Sequence, residues 1–123
     1  MKVHFNNKEI SIGSEQELSE YIELIDTTEK VETWFNADSG QSICLLKSGE
    51  NTLLMYLRFP EDVGFVSGKT NDAKVLIEFT IGNGQVDEYP QSWCIDNEAA
   101  YKALAYFYVN SGQKSPHIDW QIV

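Results

Sequence analysis

Polar and hydrophobic residues alternate along much of the first two thirds of the chain, in short runs separated by turn-forming residues. A period of two is typical of strands that bury one face. Asn6 and Asn7 form a turn dipeptide between the first two runs, so residues 2–5 and 9–12 predict a hairpin. The later runs cover residues 30–36, 42–48, 52–59, 64–68 and 74–81. Because short turns join them, these runs predict an antiparallel meander.

The alternation assigns the faces of two of these runs. In residues 52–59, one face carries Leu53, Met55, Leu57 and Phe59, and the other carries Leu54, Tyr56 and Arg58. In residues 74–81, one face carries Val75, Ile77, Phe79 and Ile81, and the other carries Leu76, Glu78 and Thr80. Residues 42–48 differ, since they form a short apolar run.

Two segments show helical spacing of their apolar residues. In the first, Ser14 followed by Glu17 matches a capping box. The apolar face of this helix is Leu18, Tyr21, Ile22 and Ile25. In the second, Asp96 or Asn97 is the N-cap and Gly112 is the stop signal. Its apolar stripe is Ala100, Leu104 and Phe107, beside Tyr101, Ala105 and Tyr108. So broad an apolar surface predicts deep burial against the sheet.

The chain ends on bulky residues. Ile118 and Trp120 alternate as in a half-buried strand, and Val123 follows. A terminus is ordered only where something holds it, so we expect the tail to be a strand docked in a sheet. Residues 82–94 are expected to form a loop. Together the elements predict an α+β fold, with an antiparallel sheet of about five to seven strands and two main helices packed on one face. We expect a single domain spanning residues 1–123.

Charge is the feature of the composition that most restricts function. Nineteen acidic residues face nine basic ones, the formal net charge is −10, and Arg58 is the only arginine. Such a chain is repelled by nucleic acids and anionic membranes and attracted to basic surfaces, so we expect neither nucleic acid nor membrane as a partner. The sequence contains no apolar run of about 18 residues and no apolar signal segment, so a cytoplasmic location is expected.

The residues that could carry catalysis or bind a metal are few and dispersed. Cys44 and Cys94 are expected to be reduced, partly buried thiols. His4 and His117 lie at opposite ends of the chain, whereas zinc sites need clustered ligands. The glycine-rich residues 82–84 are better explained as a hairpin or loop turn than as a phosphate-binding loop. We therefore expect no metal, no cofactor and no enzymatic activity. A thiol–imidazole enzyme would require Cys44 and His117 within hydrogen-bond reach, and we predict that they are not.

Neighbouring acidic and aromatic residues are the candidates for contacting a partner. Trp and Tyr dominate interface hot spots, and carboxylates complement a basic surface. The candidate residues are Asp87, Glu88 and Tyr89 of the predicted loop, with Trp93; Glu61 and Asp62; and Glu17, Glu20 and Glu23 of the first helix. The alternative for each acidic group is an ordinary solvated surface, and most aromatic residues pack in a core. Trp93 is the preferred anchor, while Trp34 shares a strand face with Glu32 and Asn36 that is compatible with exposure.

The second half of the chain, from residue 53 onward, contains an ordered set of short motifs. They are residues 64–67, residues 88–90, Glu98 and Ala99 with Ala103 and Phe107, residues 112–116 and residues 118–120. With these motifs the chain resembles the bacterial immunity protein family known as immunity protein 1, from polymorphic toxin systems. The resemblance implies an α+β fold and a non-enzymatic protein that binds and blocks a cognate toxin domain, often a nucleic-acid deaminase. It also implies structural roles for Gly64, Pro90, Gly112 and Trp120, which leaves the toxin-binding face unassigned.

A second interpretation of the sequence belongs to a different class of protein. The many aromatic residues also permit a small-ligand or regulatory binding domain that uses a cleft between helix and sheet. Such a domain predicts a sizeable closed pocket. An immunity protein instead predicts a tight complex with a toxin domain that has a basic surface. A monomer is the favoured oligomeric state.

Overall fold

The computed structural model describes residues 1–122, and Val123, the end of the predicted tail strand, lies outside the described residues. In chain order the elements are β1 (Lys2–Phe5), β2 (Lys8–Ser11), α1 (Glu15–Thr27), β3 (Lys30–Asn36), β4 (Ser42–Ser48), β5 (Asn51–Leu57), β6 (Phe65–Ser67), β7 (Leu76–Thr80), β8 (Val86–Pro90), a short 3-10 helix (Gln91–Trp93), α2 (Asn97–Val109) and β9 (Trp120–Ile122).

Seven of the strands form one antiparallel sheet in the order β2-β1-β3-β4-β5-β6-β9. Both main helices pack on the same face of this sheet. The predicted α+β class, the number of strands and the placement of the helices are therefore confirmed. Across residues 1–122, no helix is both long enough and apolar enough to cross a membrane.

The first hairpin turns at Asn6 and Asn7, as the sequence predicts. Both residues have positive φ angles, 43° and 75°, a region that asparagine tolerates better than most residues. The Asn6 amide donates to the carbonyl of Lys30 (3.1 Å), and its oxygen accepts from the backbone N–H of Glu32 (2.8 Å). These bonds fix the turn to the start of β3.

The predicted helix caps are present at both helices. At α1, the Ser14 hydroxyl accepts from the backbone N–H of Glu17 (3.1 Å), and the Glu17 carboxylate accepts from the N–H of Gly13 (3.0 Å). At α2, the Asp96 carboxylate accepts from the N–H of Ala99 (3.4 Å), which identifies Asp96 as the N-cap. Caps of this kind satisfy N–H groups that the helix itself leaves unpaired.

The first core lies between the helices and one face of the large sheet. The predicted apolar faces are buried there: Leu18, Tyr21 and Ile25 from α1, Ala100, Leu104 and Phe107 from α2, and Leu54 and Tyr56 from β5. Burial of this apolar surface is the main force that holds the helices on the sheet.

The meander prediction is wrong for β7, which leaves the large sheet. β7 pairs with β8 in a separate two-stranded sheet, and this β7–β8 hairpin packs on the face opposite the helices. The predicted loop at residues 82–94 is also wrong, since it contains β8 and the 3-10 helix. Five consecutive residues of β4, 43–47, are buried, so both faces of the large sheet must be covered.

A second core fills the space under the β7–β8 hairpin. Its buried members are Cys44, Leu46, Leu53, Val66, Phe79 and Trp93. The molecule therefore has three layers: the helices, the large sheet and the hairpin. The alternation predicted for β5 is confirmed, because Leu53 belongs to this core whereas Leu54 belongs to the first.

The tail strand is confirmed at the edge of the large sheet. β9 pairs with β6, with Ser67 opposite Trp120. The Trp120 indole N–H donates to the carbonyl of Ser115 (2.8 Å). Just before β6, Gly64 has φ +77°, and a Cβ there would lie 2.7 Å from the Tyr56 carbonyl oxygen. The turn that brings β6 beside β5 therefore requires glycine.

Candidate partner-binding groove

The tip of the β7–β8 hairpin is hydrogen bonded to the large sheet and its first hairpin through the Glu32 carboxylate and the Asn7 amide. Glu32 accepts from the backbone N–H of Gly82 (2.8 Å) through one oxygen and from the indole N–H of Trp34 (3.4 Å) through the other. The Asn7 amide also donates to the carbonyl of Gly82. These contacts hold the hairpin beside Trp34 and leave a negative charge at that position.

The other end of the hairpin rests on Trp93. This side chain is 7% exposed, and its indole N–H donates to the Asn71 side chain (2.8 Å). Its ring stacks on Tyr89 with the centroids 5.6 Å apart. The Ser67 hydroxyl donates to the Trp93 carbonyl (2.7 Å). Trp93, the preferred anchor on sequence grounds, is thus mostly buried and acts as a support for Tyr89.

An open groove of about 210 Å³ remains between the hairpin and the exposed end of the large sheet. Its walls include Trp34, Met55, Leu57, Val63, Phe65 and Tyr89. We call it the Trp34–Tyr89 groove. Val63 is 78% exposed, so the apolar lining continues onto the outer surface. Aromatic and Met side chains at a half-open site are the composition typical of interface hot spots.

Two carboxylates lie beside the aromatic end of this groove: Asp87 shares a face of β8 with Tyr89, and Glu32 is hydrogen bonded to Trp34. Burial raises the pKa of the Tyr89 phenol, and the nearby negative charge of Asp87 and the more distant charge of Glu32 raise it further. The phenol therefore stays neutral and keeps its proton. The Asp87 carboxylate is half-buried and accepts from the Gln85 amide (2.9 Å). The groove thus combines aromatic rings with negative charge.

The predicted acidic loop at residues 87–89 is a strand, and the strand separates its members. Asp87 and Tyr89 share the inner face of β8, while Glu88 is exposed on the outer face. Glu88 lies directly opposite Glu78 of β7. Like charges in this position repel each other and destabilise the pair. The outer face of the hairpin is therefore a distinct acidic surface, separate from the groove.

The pair Glu61 and Asp62 is divided in a different way. Asp62 is engaged by Arg58, whose backbone N–H, Nε and Nη2 each donate to it at 2.9 Å. Only 1% of the Asp62 side chain is exposed, and the hydrogen bonds from Arg58 hold the pKa of its carboxyl well below the usual range. Asp62 is thus a structural residue. Glu61 is exposed, and it lies two residues before Val63 at the groove mouth.

The acidic residues of α1 lie on the helical layer, across the sheet from the groove. Glu17 is used in the helix cap, and Glu20 accepts from Gln16 (3.0 Å). Glu23 is exposed to solvent. The candidate residues therefore do not form one site: Tyr89 and Trp93 line the groove, Asp87 lies beside Tyr89 on the same face of β8, Glu61 flanks the groove, and the remainder lie elsewhere. Sequence reasoning missed Met55 and Leu57, which it assigned to a strand face without knowing that the face is partly uncovered.

Other cavities bear on the ligand-binding interpretation. One, of about 510 Å³, is open to solvent and lies between α2 and the tail, beside Lys102, Ser115 and His117. Another open groove of about 400 Å³ lies between α1 and β2 and is mainly apolar, lined by Phe5, Ile10, Tyr21 and Leu24 among others.

The residues considered for catalysis are separated by the sheet. Cys44 belongs to the second core, where burial raises the pKa of its thiol well above the usual value. His117 contacts the Tyr106 ring of α2, with the ring centroids 5.9 Å apart, on the helical side. Cys94 is also a free thiol. Among the described residues, no three His, Cys, Asp or Glu side chains come together as a metal site would require.

The sequence of the chain was compared with protein families and with curated proteins. No family model matches the chain, and no curated protein matches it. The likeness to the immunity protein 1 family therefore rests on the motifs quoted above.

Proposed function

We propose that the protein is an immunity protein that binds a cognate bacterial toxin domain and neutralises it by covering its active or substrate-binding site. The observation that carries this proposal is the Trp34–Tyr89 groove, where half-exposed aromatic side chains lie beside Asp87 and Glu32 on a chain of net charge −10. The resemblance to the immunity protein 1 family supports the same function.

The charge of the chain fits a toxin that acts on nucleic acid, such as a deaminase. A protein that binds nucleic acid presents a basic surface to the phosphates. An acidic protein is attracted to that surface, and electrostatic steering raises the rate of association. Rapid capture matters for an immunity protein, because the toxin must be blocked in the cytoplasm before it reaches its substrate.

The groove supplies the packed anchor residues that give an interface its affinity, which charge alone does not provide. Long-range attraction gives speed and weak selectivity, whereas affinity comes from a few well-packed anchors at the centre of an interface. The rings of Trp34 and Tyr89 and the exposed side chain of Val63 provide such anchors. The carboxylates beside them select a basic partner over an acidic one.

The alternative is a small-ligand or regulatory binding domain, and one observation favours it. The groove between α1 and β2 has a mainly apolar lining and a volume of about 400 Å³, within the range of roughly 300–1,000 Å³ usual for small-molecule sites. It is open to solvent, whereas this interpretation predicts a closed pocket. It lies on the helical layer, so the two functions can be tested separately.

The experiment is to co-express the protein with the toxin domain encoded beside its gene in a bacterial host. The proposal expects restored growth, and purified proteins that bind at nanomolar concentration with affinity that falls as salt rises. The test variant is Val63→Ser at the Trp34–Tyr89 groove, and its matched control is Leu24→Ser in the α1–β2 groove. Protection lost with Val63→Ser alone supports the proposal. Absence of both protection and micromolar binding for the unaltered protein overturns it.

A further inference from the structure

We propose that the Trp34–Tyr89 groove receives an arginine side chain of the toxin domain, with its guanidinium stacked on the aromatic rings and paired with Asp87. This inference rests on the proposed function for the identity of the partner.

The size and lining of the groove indicate a single side chain. Its volume of about 210 Å³ is below the range of roughly 300–1,000 Å³ usual for small-molecule pockets. All of its lining side chains are apolar or aromatic, and none carries a charge. A side chain that enters it is therefore contacted by ring faces and by the apolar walls formed by Met55 and Leu57.

The charges around the groove are distributed unevenly. At one end, two basic side chains of this protein make cation–π contacts with the Phe65 ring. The Lys114 Nζ lies 3.7 Å and the Arg58 Cζ 5.3 Å from the ring centroid. At the other end, Asp87 lies two residues before Tyr89 on the same face of β8, and the Glu32 carboxylate accepts from the Trp34 indole N–H (3.4 Å). An incoming cation is therefore repelled from the Phe65 end and attracted to the Trp34–Tyr89 end.

The chemistry favours arginine over lysine. A guanidinium is planar and weakly hydrated, so it stacks on aromatic rings and still donates to a carboxylate at its edge. The Arg58 guanidinium shows both contacts within this protein, since it lies over two phenylalanine rings while it donates to Asp62. An ammonium group would keep more of its hydration and gain less from the rings.

The two carboxylates have different roles. Both oxygens of Glu32 already accept hydrogen bonds, from Gly82 and from Trp34, so Glu32 supplies charge at a distance. Asp87 is hydrogen bonded to the flexible side chain of Gln85, which an arginine can displace. Asp87 is therefore the residue that pairs with the guanidinium.

The test compares two neighbouring substitutions that change the net charge equally. Asp87→Asn removes the charge at the groove, whereas Glu88→Gln removes one on the outer face of the same strand. For binding to the toxin domain, we expect a loss of about tenfold or more for Asp87→Asn and less than about threefold for Glu88→Gln. A substituted toxin arginine should show a non-additive effect with Asp87→Asn.

A second measurement examines the groove without the toxin. The probe is the blocked tripeptide acetyl-Gly-Arg-Gly-amide, with the uncharged citrulline tripeptide as its control, and the readout is the NMR shift of the Trp34 indole N–H. A shift with the arginine peptide alone supports the inference. Equal shifts of the Trp34 indole N–H for both peptides, or no shift at millimolar concentration, overturn it.

The outcomes separate this inference from the proposed function. If the toxin domain binds and Asp87→Asn and Glu88→Gln weaken binding equally, the arginine site is wrong and the immunity function stands. If the toxin domain does not bind but the arginine peptide does, the immunity function is wrong and the groove still recognises a guanidinium.

Discussion

Phe79 is the side chain that should decide whether the β7–β8 hairpin is an integral layer of the fold. It is fully buried in the second core, and its neighbours there include Leu46 and Leu53. A two-stranded hairpin is marginally stable by itself, so burial of this side chain must supply much of the free energy that keeps the hairpin docked.

Phe79→Ala should destabilise the protein by about 3–5 kcal/mol, the usual cost of this truncation in a packed core. Domains of this size unfold with a total free energy of about 5–15 kcal/mol. With a denaturant dependence of about 2 kcal/mol per molar urea, the unfolding midpoint should fall by about 2 M.

The assay is urea unfolding followed by circular dichroism, with Val86→Ala as the matched control. Val86 lies on the outer face of the same hairpin and is 51% exposed, so its truncation should cost about 0.5 kcal/mol or less. Hydrogen exchange should show loss of protection first in residues 76–90. Equal midpoints for Phe79→Ala and Val86→Ala would refute the reasoning, because the second core would then contribute nothing.

The remaining predictions concern charge, pH and the thiols. Glu88→Lys replaces a repulsion with an attraction opposite Glu78, so it should raise the free energy of unfolding by about 0.2–1 kcal/mol, and a lower urea midpoint would contradict this. The folded state lowers the pKa of Asp62, so its ion pair stabilises above the ordinary carboxyl pKa of 3.8 and this stabilisation is lost as the pH falls below that value. The stability difference between the wild type and Asp62→Asn should therefore shrink on acidification, as measured by urea unfolding at several pH values. Burial raises the pKa of Cys94 to about 11 and that of Cys44 well above 9.0, so alkylation at pH 8 followed by mass spectrometry should be slow at both and slower at the fully buried Cys44. Rapid labelling of Cys44 would contradict its position in the second core.

The local elements of the fold could be predicted because their signals are local. The caps at Ser14 and Asp96 and the turn at Asn6 and Asn7 depend on residues close in sequence, and each is present. The alternation in β5 also assigned Leu53 and Leu54 correctly to opposite faces. Signals of this kind need no knowledge of which strand pairs with which.

The position of the β7–β8 hairpin could not be predicted from alternation. A period of two identifies β7 as a half-buried strand but does not identify the sheet that it joins. β8 was missed because its sequence, Val86–Pro90, has two adjacent acidic residues and little apolar alternation. The one relevant signal was the uninterrupted apolar run in β4, which requires cover on both faces of the sheet. The groove depends on this hairpin, since Trp34, Met55 and Tyr89 come from three different strands.

Stability and recognition should be coupled in this protein, because the β7–β8 hairpin both covers the second core and carries Tyr89 and Asp87 to the groove. When the hairpin is detached, the groove loses the wall that contains Tyr89 and keeps only the wall formed by the large sheet. The apparent dissociation constant then equals the intrinsic one divided by the docked fraction, so a variant in which about one molecule in ten is docked binds about tenfold more weakly. Phe79 is not itself proposed to contact the toxin, but its ring packs against Tyr89, with the centroids 6.1 Å apart, and it lies opposite Asp87. Phe79→Ala should therefore weaken binding by releasing the hairpin, and Val86→Ala should not. Unchanged toxin binding by a Phe79→Ala protein with an unprotected hairpin would show that the hairpin takes no part in recognition.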